Sequence, residues 1–96
     1  MLIVRVIGTT VSTIKDEKLK GKKLLVVQPT DESGKASGKP FVAVDTVDAG
    51  VGDLVLTAAG SSARQNTFTK DAPVDAVIMA VIDSLEVNGK VTFRKS

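Results

Sequence analysis

The chain has 96 residues, 43% of them apolar, and a net charge of +2 from 13 basic and 11 acidic side chains. That length suits one domain, residues 1–96, and a domain this small covers only about 60–65% of the surface its unfolded chain exposes, so the apolar content points to cover from another subunit. There is no cysteine, which excludes disulfides and thiolate chemistry and fits a reducing compartment, and the near-balanced charge does not advertise a polyanion partner.

The chain begins Met1-Leu2-Ile3-Val4-Arg5, directly in a strand pattern and without the basic-then-apolar signature of a signal peptide. Leu2 to Val11 is the first predicted strand. The stretch Lys15 to Lys23 follows, its five lysines interrupted by two acids, and reads as a solvated loop rim. Lys23–Gln28 and Phe41–Asp45 are the next two strands, rich in Val and Leu. Asp31-Glu32-Ser33-Gly34 with Gly38-Lys39-Pro40 marks the loop between them. Asp48 to Asp53, with Gly50 and Gly52, is a turn that leads into a strand over Asp53–Ala58.

Gly60-Ser61-Ser62-Ala63-Arg64 is the one place that invites a helical turn, with Ser61 or Ser62 as its cap. Val74 to Ile82 is the next predicted strand, and within it the run Ala76 to Ile82 is apolar, with Val77 to Ile82 continuous and β-branched. That favours a strand buried on both sides over a helix across Asp75–Glu86, and the run is too short to span a bilayer. Asn88-Gly89 supplies the two positive φ angles of a type I′ turn, so Leu85–Val87 and Lys90–Arg94 form a hairpin. Six short strands, close turns and one helical turn describe an all-β protein: a small closed β-barrel, OB-like, with a C-terminal β-hairpin. Closure removes edges that such apolar strands would otherwise offer to aggregation. No internal repeat is visible.

Histidine and tyrosine are absent along with cysteine, so the usual general bases and activated nucleophiles are missing and no catalytic residue is assigned. Gly60 to Arg64 is not the G-x-S-x-G elbow, because Arg64 stands where the last glycine belongs, and it lacks the P-loop spacing. Its amides could hold an anion, or Ser61 could simply cap the turn while Arg64 pairs with a carboxylate. Asp45, Asp48, Asp53, Asp71, Asp75 and Asp83 lack calcium-loop spacing and read as turn residues, so neither metal nor cofactor is expected. A nucleic-acid-binding barrel would need exposed rings for base stacking, and the chain has only Phe41, Phe68 and Phe93.

Three stretches, taken together in order, resemble one family. They are Gly8-Thr9-Thr10-Val11-Ser12-Thr13-Ile14-Lys15, Leu19-Lys20-Gly21-Lys22-Lys23-Leu24-Leu25, and Ala43-Val44-Asp45-Thr46-Val47-Asp48-Ala49-Gly50-Val51-Gly52-Asp53. Gly60-Ser61-Ser62-Ala63-Arg64, Pro73-Val74-Asp75-Ala76 and Ile82-Asp83 complete the pattern. It is similar to the EutN/CcmL family, the vertex proteins of bacterial microcompartments, from Leu2 to about Val87. Asp48 departs from it, standing where a small residue, often glycine, is expected.

The resemblance implies a five-stranded β-barrel with a short helix that assembles into a homopentamer. The ring would plug the corners of a polyhedral shell in the bacterial cytoplasm, beside hexameric shell proteins and without nucleic acid or membrane. A ring interface is heterologous, one face of a subunit meeting a different face of the next. Ser61, Ser62 and Arg64 are then expected near the inner contacts and the central opening. Lys15 and Asp45 are candidates for ring or shell contacts, or else ordinary turn and solvent-facing residues. The alternatives to a shell vertex are the OB-like nucleic-acid binder and a small anion- or metabolite-binding module.

Overall fold

The computed structural model describes residues 1–11, 15, 17, 19–59 and 76–96. The helical turn expected at Ser61–Gln65 lies outside them, as do Ser61, Ser62, Arg64 and Phe68. Among the described residues seven strands follow in chain order: β1 Leu2–Thr9, β2 Lys23–Pro29, β3 Phe41–Asp45, β4 Leu54–Ala59, β5 Ala76–Val81, β6 Ser84–Val87 and β7 Lys90–Arg94. The first five close into a barrel in the order β1-β2-β3-β5-β4, and β6 and β7 form a separate ribbon. All the pairings are antiparallel except β3 with β5, a short parallel seam of Val44 with Val77 and Asp45 with Ile78. The predicted strands and the hairpin therefore form, with ends shifted by a residue or two, and β6 begins at Ser84.

A strand buries alternate side chains, and here one set fills the barrel. Val4, Val6, Leu25, Val27, Ala43, Val55, Ala76 and Ile78 make its interior, with Ala49 tucked in from the turn after β3. Five strands enclose a narrow space, and β-branched and small residues fit it. The opposite face is not left wet throughout. Val44, Ala58 and Val77 form a second buried cluster, covered by Leu19, Leu24 and Met79. This explains the unbroken apolar run in β5. Ala76 and Ile78 point into the barrel while Val77 and Met79 serve the outer cluster. A helix there would have split these two sets differently.

The ribbon turns at Asn88 and Gly89, with φ of 53° and 79°, as the type I′ reading requires. A two-stranded ribbon is marginal alone in water, so it must borrow stability from what it touches. It touches the barrel through Arg5. That side chain donates from Nη1 to the Gly52 carbonyl at 2.9 Å and from Nη2 to the Gly34 carbonyl at 3.1 Å. Its guanidinium also stands 5.8 Å from the centre of the Phe93 ring, within cation–π range. Thr92 Oγ1 donates to the Glu32 carbonyl at 2.7 Å, and the Lys95 amide donates to the Asp83 carbonyl at 2.8 Å.

Candidate subunit interface

The polar features cluster where β3 ends. Lys23 and Asp45 stand directly opposite one another in the β2–β3 ladder. The Asp45 carboxylate is 1% exposed and serves its own turn: Oδ1 accepts from the Val47 amide at 3.0 Å and Oδ2 from the Ala49 amide at 2.9 Å. Lys23 Nζ lies 3.3 Å from Asp45 Oδ2, and it donates to Asp48 Oδ1 at 3.0 Å and to the Ala49 carbonyl at 3.2 Å. Thr46 Oγ1 donates to the Ile78 carbonyl at 2.7 Å, which ties the turn to β5. Asp48 holds a left-handed φ of 57°, a conformation that costs glycine nothing, which is a physical reason for a glycine expected at this position. The turn closes with the Gly50 amide donating to Asp53 Oδ2 at 2.9 Å.

These groups line a shallow, open depression of about 310 Å³ formed by Gly21, Lys22, Lys23, Asp45, Thr46 and Asp48. Its chemistry is that of a fixed corner. Asp45 spends both oxygens on backbone amides and on Lys23, and the exposed Asp48 accepts from Lys23 at Oδ1. The expectation that these aspartates fix turns agrees with this geometry. Lys15 is exposed on the connection between β1 and β2, and Asp45 pairs with Lys23 of its own chain. Sequence reasoning missed Lys23 and Arg5. A signal for Arg5 was present, since it is the lone charge inside Leu2–Thr9.

Among the described residues, Lys23 and Asp31 respond to their surroundings. The hydrogen bond to Asp48 holds the Lys23 ammonium above its ordinary 10.5, with desolvation working against it and Asp45 adding to the rise. Asp31 is held below its ordinary 3.8, first by the Ser33 hydroxyl and then by the amides of Lys35 and Ser33. A raised lysine stabilises the fold fully below 10.5 and loses that contribution as pH climbs through the folded value. A lowered aspartate contributes above 3.8 and loses it as pH falls through the folded value. Thermal melts of Lys23→Met against wild type should therefore show a constant gap near neutrality that narrows above pH 10.5, and Asp31→Asn a gap that narrows only below pH 3.8.

Of the three rings that base stacking would need, Phe41 packs against the barrel core, Phe93 sits by Arg5, and Phe68 lies outside the described residues. The comparisons with known proteins point the same way. A family model described as "Ethanolamine utilisation protein EutN/carboxysome" matches residues 1–83. The carboxysome shell vertex protein CcmL of Synechococcus elongatus is 44% identical over 95 residues, covering 99% of this chain and 96% of that relative. The solved structure of Gloeobacter violaceus CcmL superposes with a TM-score of 0.91 at 40% identity, covering 99% of this chain and 98% of that one. The GrpN pentameric microcompartment shell protein from Rhodospirillum rubrum superposes with a TM-score of 0.81 at 44% identity, covering 91% of this chain and 99% of its own. Match, identity and fold agree over nearly the whole length: the chain belongs to the EutN/CcmL family, whose relatives named here are shell vertex proteins of carboxysomes and other microcompartments.

Proposed function

We propose that this chain is a structural subunit that assembles as a homopentamer and caps the vertices of a microcompartment shell in the bacterial cytoplasm. The observation that carries the reading is the likeness to the pentameric GrpN at 44% identity and a TM-score of 0.81. The physical reading supports it. The chain has no histidine, cysteine or tyrosine, and Asp45 and Asp53 accept from the amides of their own turns. A closed barrel is a stiff tile, and hexagonal tiles make flat sheets that close only with five-fold corners.

The partners at the rim are then hexameric shell proteins, and nucleic acid has no part in the assembly. Ser61, Ser62 and Arg64 are proposed to shape the inner contacts and the central opening of the ring, and Lys15, being exposed, to face a neighbour in ring or shell. Light scattering on the purified protein should give the mass of five chains, and native mass spectrometry of Arg64→Ala should give a folded protein that no longer holds the ring. A wild-type chain that stays single at high concentration overturns the reading. An Arg64→Ala ring at undiminished abundance removes that residue from the contacts.

A further inference from the structure

An antiparallel sheet with one face in water normally alternates apolar and polar residues. The outer face of β2 and β3 does not. Val26 and Val42 are direct partners in the ladder, and their chain neighbours Leu25, Val27 and Ala43 fill the barrel, so both valines point outward. Val42 is 48% exposed. On the far side of Val26 stands Gly8, where an added Cβ would meet only the Val26 Cβ, at 3.9 Å. Beside it, Ile7 is 42% exposed in the irregularity of β1. The result is an apolar row across three strands, with Ile7 and Val42 exposed and Gly8 and Val26 half-buried between them.

The other outward apolar residues have cover. Val44, Ala58 and Val77 lie beneath Leu19, Leu24 and Met79. Apart from the chain start and the loop residues Val11 and Val51, the large exposed apolar side chains among the described residues fall into two groups: this row, and Val87 with Val91 on the β6–β7 ribbon. The extent of the family separates them. Its model matches residues 1–83 and ends one residue before the ribbon begins, so the better candidate for a face that serves a common ring falls inside that match. The row does and the ribbon does not.

We infer that Ile7, Gly8, Val26 and Val42 form the face on which the next copy of this chain sits in the ring, and that the ribbon patch is not part of that contact. This rests on the pentamer proposed above. The glycine keeps the wall flat where a neighbour's backbone can approach closely, and the valines supply the stiff apolar centre of the contact. Because the interface is heterologous, the neighbour presents a different face to this row.

The test compares wild type, Val42→Glu and Val91→Glu by native mass spectrometry over a dilution series, with circular dichroism to check the fold. Wild type and Val91→Glu should hold the ring, while Val42→Glu should weaken subunit association by more than about tenfold, the effect of a buried central contact. A second measurement does not depend on the charged variant folding. The chain has no cysteine of its own, so Val42→Cys and Val91→Cys each carry a single thiol. In the intact ring, maleimide should modify Val91→Cys quickly and Val42→Cys slowly, and dilution that dissociates the ring should remove the difference. A Val42→Glu ring as stable as wild type, or fast labelling of Val42→Cys in the intact ring, overturns the assignment. A monomeric wild type overturns the ring itself, and this face with it.

Discussion

Asp45→Ala is expected to lower the free energy of unfolding by about 2–4 kcal/mol, because two turn amides lose their acceptor and each orphaned donor at this partly buried turn costs roughly 1–2 kcal/mol. The ion pair adds little to this. Lys23 is 51% exposed and keeps Asp48 and the Ala49 carbonyl as partners, so its loss of Asp45 belongs with exposed pairs, worth about 0–1 kcal/mol. For a domain of this size the change corresponds to a melting temperature lower by roughly 10–25 °C. Asp45→Asn keeps one carbonyl oxygen, can satisfy one of the two amides, and should cost about half as much. Denaturant titration of the three proteins checks this. If Asp45→Asn proves as costly as Asp45→Ala, charge and not amide satisfaction holds the corner together.

The second large effect is expected at Gly34. Its φ is +87°, and a Cβ placed there would stand 2.5 Å from Arg5 Nη2 and 3.4 Å from Phe93 Cδ1. Gly34→Ala therefore combines a left-handed backbone, at about 1–2 kcal/mol, with displacement of the Arg5 fork, whose hydrogen bond to the Gly34 carbonyl is worth about 1 kcal/mol. A total loss of about 2–3 kcal/mol should appear in denaturation. The more telling result is local. Once Arg5 is pushed aside the ribbon loses its cation–π contact, and trypsin should cut at Lys90 and Arg94 while the barrel is still folded. Arg5→Ala should expose the same sites without the backbone strain, so it should match Gly34→Ala in proteolysis and cost less in stability. Equal protection of the ribbon in all three proteins would show that Arg5 does not hold it.

What could be read in advance follows from how local each cause is. The strands were legible because a barrel strand writes its burial into consecutive residues, and β5, with two covered faces, wrote it twice. The turn at Asn88-Gly89 was legible because its chemistry is complete in two residues. Asp45 was legible as a turn residue for the same reason, yet its partner Lys23 was not. The two meet only because the β2–β3 register sets them opposite, and register is a property of the whole sheet. The group of Arg5, Gly34 and Phe93 draws on three separated stretches and left no mark beyond a lone charge in an apolar strand. The left-handed backbone at Asp48 was hinted at only by its departure from the small residue the resemblance leads one to expect. Ser61, Ser62 and Arg64 rest on that resemblance.

The parallel seam between β3 and β5 has a consequence for how the molecule comes apart. Among the described residues, Val44 with Val77 and Asp45 with Ile78 are the pairs across it, fewer than at any other junction of the barrel, and Thr46 bolts it from one side. A cylinder split along its thinnest join opens there first, and amide protons beside that join report the opening before the rest of the wall gives way. Once split, β3 and β5 would show raw edges of Val and Ile, the kind that zip onto stray chains. Subunits clasped in a closed circle would have less freedom to uncurl in this way, so keeping the chain in its assembly also guards it against clumping.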